Sequence, residues 1–256
     1  MGVIEMSGDP KAFWNAKAHT FPRFSEGEDT YEAGMLRTAR ENGVTFAGKR
    51  ILDVGCGSGM YTLRLAMEAQ HVTAVDISSE MLRILEEDAQ ARGVSNISTV
   101  QSGWDDFQTE EQFEVVFASM TPAIHDDASR DKLLRCISGW GIYMGFSDVI
   151  VSNVMADLFT RHDITPRIFN NVRHMREWLA RKGIAYTAIP VTGEWVVPKS
   201  WDAIVHSTTI TLQNYGVEPD DAELARHLET FRDEAGTYTE RTPYSLEMIL
   251  WRYEAA

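Results

Sequence analysis

One stretch governs what this chain can become: Leu52-Asp53-Val54-Gly55-Cys56-Gly57-Ser58-Gly59-Met60-Tyr61. The apolar run Arg50–Val54 reads as a short buried strand and the three glycines as a sharp turn. Met60–Ala69, apolar at helical spacing, reads as a helix. Glycine lets the backbone turn tightly and lets a ligand approach where a Cβ would collide. The free amides at the helix start favour negative charge. A strand, a glycine turn and a helix in succession point to a parallel sheet with crossover helices. The following residues agree. His71–Asp76 is a second strand, and Ser78 caps a helix whose Met81, Leu82, Leu85 and Ala89 share one face before Gly93 stops it. Ile97–Gln101, Phe113–Ser119 and Gly141–Phe146 supply three more strands.

The second half is less regular. Phe169–Lys182 reads as a helix ended by Gly183, followed by a strand at Ile184–Val191. Pro219 opens a helix continued by Leu224, Leu228 and Phe231, and Tyr244–Tyr253 alternates like a strand. Between them, Ser147–Ile168 is too long for a simple connection, and long connections in this architecture carry specificity. Residues 1–47 hold Phe13, Trp14, Phe21, Phe24 and Tyr31 among polar residues, without a strand pattern. They form either a cap or lid over a ligand or part of the core. The expected organisation is an N-terminal cap segment, 1–47, and one domain, 48–256, with a substrate-side insertion near 147–168.

Composition removes several classes of function. The 256 residues are 44% hydrophobic, yet no run of 18 apolar residues exists to span a membrane. Met1–Pro10 has neither the basic nor the apolar region of a secretory signal, and two cysteines are too few for a disulfide framework, so a cytoplasmic setting is expected. Lys and Arg number 24 against 38 Asp and Glu, a net charge of −14 that repels phosphate backbones and anionic lipid. Arg161, Arg167, Arg173, Arg176, Arg181 and Lys182 are interleaved with acids and apolar residues and read as the solvated face of a helix. Nucleic acid and membrane are therefore not expected as partners. His162, His174, His206 and His227 lie at no metal-ligand spacing, and no metal is expected.

The flanks of the glycine turn decide what it binds. A dinucleotide fingerprint wants a small residue where Met60 stands, so a pyrophosphate fits poorly. An acid, Asp53, precedes the glycines, and a second acid, Asp76, ends the next strand 17 residues after Gly59, where a carboxylate can accept both ribose hydroxyls. With these features, residues 49–120 resemble the core of class I S-adenosylmethionine (SAM) dependent methyltransferases. Ile51-Leu-Asp-Val-Gly-Cys-Gly-Ser-Gly59 is similar to the first motif of that family and Val75-Asp-Ile-Ser-Ser79 to its second. Ala118–Ile124, with Ser138–Tyr143, is similar to uncharacterised small-molecule-type methyltransferases of anaerobic bacteria.

The resemblance implies an α/β, Rossmann-like fold: seven mostly parallel strands, the last antiparallel, with helices on both faces. It implies that Asp53 supports the methionine end of SAM and that the backbone of Gly55, Cys56, Gly57 and Gly59 cradles it. Asp76, followed by Ile77, would hold the ribose, and Ser119 and Met120 would lie beside the cofactor. Gly103 replaces the acid that often meets the adenine; Trp104 either stacks on adenine or packs as core, and Asp105 could substitute.

His125, just past the fourth strand, is the candidate general base, with Asp126 or Asp127 to orient it; the alternative is a rim histidine bonded to a turn. Tyr143, Asn153, Trp195 and Trp201 are candidates for the acceptor pocket. The fourth motif lacks the Asn-Pro-Pro-Tyr set that grips a planar nitrogen. With the net charge, this points to a neutral or cationic small metabolite as acceptor. The rival classes are a SAM-binding sensor or regulator without catalysis and an NAD-dependent oxidoreductase.

Overall fold

The computed structural model describes residues 9–19, 21–168 and 172–253. In chain order the elements are α1 (Pro10–Ala18), α2 (Tyr31–Glu41), β1 (Arg50–Val54), α3 (Met60–Ala66), β2 (His71–Asp76), α4 (Ser79–Ala91), β3 (Ile97–Gln101) and β4 (Phe113–Ser119). Then follow α5 (Asp127–Cys136), β5 (Ile137–Phe146), α6 (Asn153–Arg161), α7 (Val172–Arg181), β6 (Tyr186–Lys199), α8 (Trp201–Asn214), α9 (Asp221–Glu229) and β7 (Tyr238–Arg252). The strands form one sheet in the order β3-β2-β1-β4-β5-β7-β6, with β7 antiparallel and helices flanking the sheet. Strand β1 pairs in parallel with both β2 and β4, so the strand order reverses between β1 and β4. In open α/β sheets that switch point opens a crevice at the carboxyl ends of the strands. The glycine turn leaves β1 there.

The chain divides into two compact units. The first is Met1–Gly145, Asn170–Ile189 and Glu247–Ala256. Its main core gathers Leu52, Val75, Val116, Trp178, Ile249 and Trp251. Strand β5 shows why a glycine-rich run can be a central strand: a Cβ on Gly141 would run into the indole of Trp251, so the missing side chain makes room for β7. The N-terminal aromatics are packed in this unit. Phe24 joins Leu63, Ala74, Leu82, Leu85 and Ala89, and Trp14 and Phe21 pack against Ala18, Met81 and Ile84.

The second unit, Phe146–Phe169 and Pro190–Leu246, has its own core of Val154, Leu158, Ile204, Leu212, Leu224 and Leu228. Its helices start on side-chain caps: Ser152 accepts from the Met155 amide, Ser200 from Ala203 and Asp220 from Glu223. It takes in 190–246 as well as the long connection that the sequence marks. Strand β6 also runs further than the expected Ile184–Val191 and carries Trp195 within it. The expected helix start at Phe169, and residues 1–8 of the segment read for a signal, lie outside the described residues.

Candidate active site

The turn from β1 into α3 is held by three left-handed glycines, Gly55 (φ 69°), Gly57 (φ 55°) and Gly59 (φ 84°). A Cβ on Gly55 would strike Thr121 Oγ1, and one on Gly59 would strike the Leu85 side chain. These two glycines are closed in by protein. Gly57 differs: the nearest atom to its missing Cβ is Phe21 Cε1 at 3.7 Å, an ordinary contact. The Gly55 and Cys56 amides both donate to Val75 O, at 2.8 and 3.1 Å, which pins the turn to the end of β2. Ser58 is buried, and its hydroxyl donates to Pro22 O at 2.6 Å. The N-terminal segment thus fastens the turn from the other side.

Both acids flank this turn. Asp76 accepts from the Gly57 amide at 2.9 Å through one oxygen and from the Ser78 amide at 2.8 Å through the other. Each carboxylate oxygen can accept a second hydrogen bond, so capacity for a diol remains. Burial raises the Asp76 pKa, with the Ser78, Gly57 and Ile77 amides opposing the rise. Asp53 is 3% exposed and accepts from Thr62 Oγ1 at 2.6 Å. Burial pushes its carboxyl up to about 7; the Thr62 bond opposes this and the charge of Asp76 adds to it. No cation pairs with Asp53 among the described residues. Burial, then the Asp76 and Asp53 charges, hold the Cys56 thiol far above its usual range, so it stays protonated and inert. A turn open at Gly57, spare acceptor capacity on Asp76 and a buried Asp53 with no cation among the described residues fit the cofactor that the resemblance names.

Beside the end of β2, the missing Cβ of Gly103 lies 3.6 Å from both Ile77 Cδ1 and Asp106 Oδ2, so Ile77 and Gly103 meet there. Trp104 is 4% exposed, donates through Nε1 to Ser129 O at 3.0 Å and stacks on Phe107. Of its two readings, the structure places it as core. At the end of β4, Ser119 Oγ and Tyr61 Oη both approach Met144 Sδ, at 3.8 and 3.9 Å. Met120 follows with φ 47°, a left-handed backbone conformation that non-glycine residues adopt rarely.

His125 is one-third exposed, and its Nδ1 lies 3.2 Å from Ala123 O, the geometry of a rim histidine bonded to a turn. Its Nε2 is 3.8 Å from both Asp105 and Asp126. Asp126 is committed as the cap of α5, accepting from the Ser129 amide at 2.7 Å. Asp127, expected as a second orienter, faces Arg130 and Arg181 instead. Tyr143 is 2% exposed in the main core of the first unit, and burial pushes its phenol up to about 12. Within the second unit, Asn153 ties α6 to β7, its Oδ1 accepting from the Arg241 amide at 2.8 Å. Trp195 packs on Tyr244 and Trp201 on Tyr238, with ring centroids 4.5 and 5.4 Å apart.

Sequence reasoning passed over Thr62, Thr121 and Ser58. Thr62 had a usable signal, since the start of a helix faces the strand before its turn. Thr121 and Ser58 act through contacts with residues distant in sequence. Among the described residues, no group of three or more His, Cys, Asp or Glu could hold a metal, and no helix is long and apolar enough to cross a membrane.

Residues 51–140 match a family profile described as a methyltransferase domain. The Bacillus subtilis (strain 168) methyltransferase YcgJ, itself uncharacterised, is 24% identical over 83% of this chain and 81% of its own. Its crystal structure superimposes with a TM-score of 0.57 at 17% identity, covering 87% of this chain and 99% of that one. Magnesium protoporphyrin IX methyltransferase from Synechocystis PCC 6803, solved with S-adenosylhomocysteine (SAH) bound, gives a TM-score of 0.56 at 12% identity over 95% of this chain and 97% of its own. These likenesses are of fold. A ribosomal protein L11 methyltransferase of Alteromonas mediterranea is 33% identical over 39% of this chain and 34% of its own length. Alignments with the first two curated relatives span 35% and 29% of those proteins.

Proposed function

We propose that this protein is a SAM-dependent methyltransferase acting on a small-molecule acceptor in the cytoplasm. The observation that carries this reading is the pair of acids, buried Asp53 and half-buried Asp76, on either side of a glycine turn that stays open at Gly57. SAM supplies an electrophilic methyl group on a sulfonium. The protein holds it by the Gly55–Gly59 backbone, by Asp76 and Ile77 at the ribose, by Gly103 at the adenine side and by Asp53 at the methionine end, with Ser119 beside it. Much of the remaining task is to align the acceptor and exclude water, worth up to about 7–11 kcal/mol in ideal cases. His125 is the group at the rim able to take a proton from an acceptor that carries one at neutral pH. Tyr143, Asn153, Trp195 and Trp201 are the acceptor-side candidates.

The test has two parts. Calorimetry should show SAM and SAH binding at low-micromolar Kd or tighter, with NAD much weaker; tighter NAD binding would overturn the cofactor assignment. Incubation with methyl-labelled SAM should then label compounds in a metabolite extract faster than bulk RNA, DNA or ribosomal protein. Faster labelling of a macromolecule would sink the small-molecule reading. Binding without any transfer would favour a sensor.

A further inference from the structure

Helix α1 carries one half-buried amide on the face it turns to α4. Ala18 packs there on Met81 and Ile84, and Asn15, one turn earlier, meets the same helix. Asparagine is a poor helix former, so its place inside α1 calls for a contact beyond that helix. Asn15 finds one at the start of α4: its Oδ1 accepts from Ser78 Oγ at 2.7 Å and from the Glu80 amide at 3.4 Å. The roles are fixed. A backbone amide can only donate, and Ser78 Oγ already accepts from the Met81 amide at 3.2 Å, so its proton goes to Asn15. The oxygen is therefore the atom spent on α4. The NH2 group is left over, and no described residue accepts from it.

One residue separates that amide from Asp76. Ser78, which Asn15 holds by the hydroxyl, donates its own backbone amide to Asp76 Oδ1 at 2.8 Å. The other oxygen leads back to the same segment. Oδ2 accepts from the Gly57 amide at 2.9 Å, and Phe21 Cε1 lies 3.7 Å from where a Gly57 Cβ would stand. Each oxygen of Asp76 is thus one residue removed from the N-terminal segment, through Ser78 to Asn15 and through Gly57 to Phe21. The segment is pinned there, since Ser58 Oγ donates to Pro22 O at 2.6 Å and Arg23 donates to Asp88 at 2.9 Å. An ionised Asp76 offers acceptors only, whereas the Asn15 NH2 offers two donors. A hydroxyl uses both kinds, giving one proton and accepting at its lone pairs.

We propose that Asn15 is a cofactor-binding residue whose Nδ2 donates to a ribose hydroxyl that gives its proton to Asp76, so that the N-terminal segment forms one wall of the ribose subsite. This rests on the SAM reading above. Asp76 alone takes protons from the diol and leaves the hydroxyl lone pairs without a protein donor. Asn15 supplies that donor, and Phe21 closes the same wall over Gly57. The pair reads a hydroxyl from both sides, so the subsite distinguishes a ribose from a deoxyribose more sharply than a lone carboxylate would. The wall is built into the first unit by Ala18, Pro22 and Arg23, and it needs no closing motion to form.

The experiment uses the full chain and three ligands, SAH and its 2′-deoxy and 3′-deoxy analogues, titrated by calorimetry into wild type and Asn15→Ala. Failure of SAH to bind wild type overturns the cofactor reading itself, before any variant is compared. Asn15→Ala should weaken SAH by about fivefold, the worth of one neutral hydrogen bond. For at least one deoxy analogue the same substitution should cost less than about twofold, because the hydroxyl that Asn15 serves is gone. A strut between α1 and α4 would cost all three ligands the same factor. Asn15→Asp keeps the oxygen that Ser78 and Glu80 bind and turns the donor into an acceptor, so it carries the same comparison if Asn15→Ala does not fold. Unchanged SAH affinity in the variant, or an equal loss for the three ligands, overturns the proposal while leaving the SAM reading in place.

Discussion

Asp76 uses its two oxygens to bind the Gly57 and Ser78 amides, so it shapes the turn as well as facing the ligand. Asp76→Ala should therefore cut SAH affinity by at least about tenfold, through lost charge-assisted bonds of roughly 1.5–3 kcal/mol each and a looser turn. An unchanged Kd by calorimetry would place the ribose elsewhere. Asp53 makes a different prediction. Its folded-state pKa, about 7, lies above the ordinary aspartate value of about 3.9, so its contribution to stability is complete below about pH 4 and is lost as pH rises to about 7. The α-ammonium group of the ligand's amino-acid end, placed beside it, favours the ionised form. Binding of SAH near pH 6.5 should then expel protons, seen as a binding enthalpy that varies with the ionisation enthalpy of the buffer. Asp53→Asn should abolish that variation; a wild-type enthalpy independent of buffer would remove Asp53 from the methionine end. Both acids were legible in the sequence because they sit at fixed offsets from the glycines. Thr62 and Thr121 were not, since a threonine that bonds a buried acid and one on a surface share the same letter.

At the scale of elements, legibility followed periodicity. Strands β1 to β4 and helix α4 emerged nearly residue for residue, since each has an apolar period and a clear stop. Strand β5 was read only from Gly141, because Ser138-Gly-Trp-Gly141 looks like a turn until Trp251 is seen to fill the space beside it. Helices α1, α2, α5, α6 and α8 were missed, although Thr30, Asp126, Ser152 and Ser200 are caps of a common kind. The apolar faces of α1, α2 and α5 are short and interrupted by charge, while α6 and α8 lie in stretches without a regular alternation of strand and helix. The N-terminal segment is joined to α4 by more than aromatics: Arg23 pairs with Asp88 at 2.9 Å, and Asn15 accepts from Ser78 at 2.7 Å. Phe24→Ala should thus destabilise the first unit by about 3–5 kcal/mol in urea unfolding. Because Ser58 hangs on Pro22 nearby, SAH affinity should fall as well. A Phe24→Ala protein of wild-type stability would return the segment to the role of a detachable lid.

At the scale of the molecule, the two units have separate cores, and both acids and the glycine turn belong to the first. Leu228→Ala, at a fully buried position of the second core, should destabilise that unit by about 2–5 kcal/mol. Hydrogen exchange should quicken across α6, α8 and α9 while SAH affinity stays within about twofold of wild type. A matching loss of affinity would show that the cradle depends on the second core. The sequence hid this division because the second unit is assembled from two stretches, and only one of them, 147–168, looked irregular enough to mark. The order β5-β7-β6 has a further result for the newborn chain. On the ribosome β6 appears before β7, yet in the sheet it lies against β7 and nothing else. At ~5–20 residues per second, several seconds pass between the appearance of β6 and that of its neighbour. Through that interval two open edges, on β5 and β6, wait for the same strand, and a cell making this protein quickly must keep them apart from those of other nascent copies.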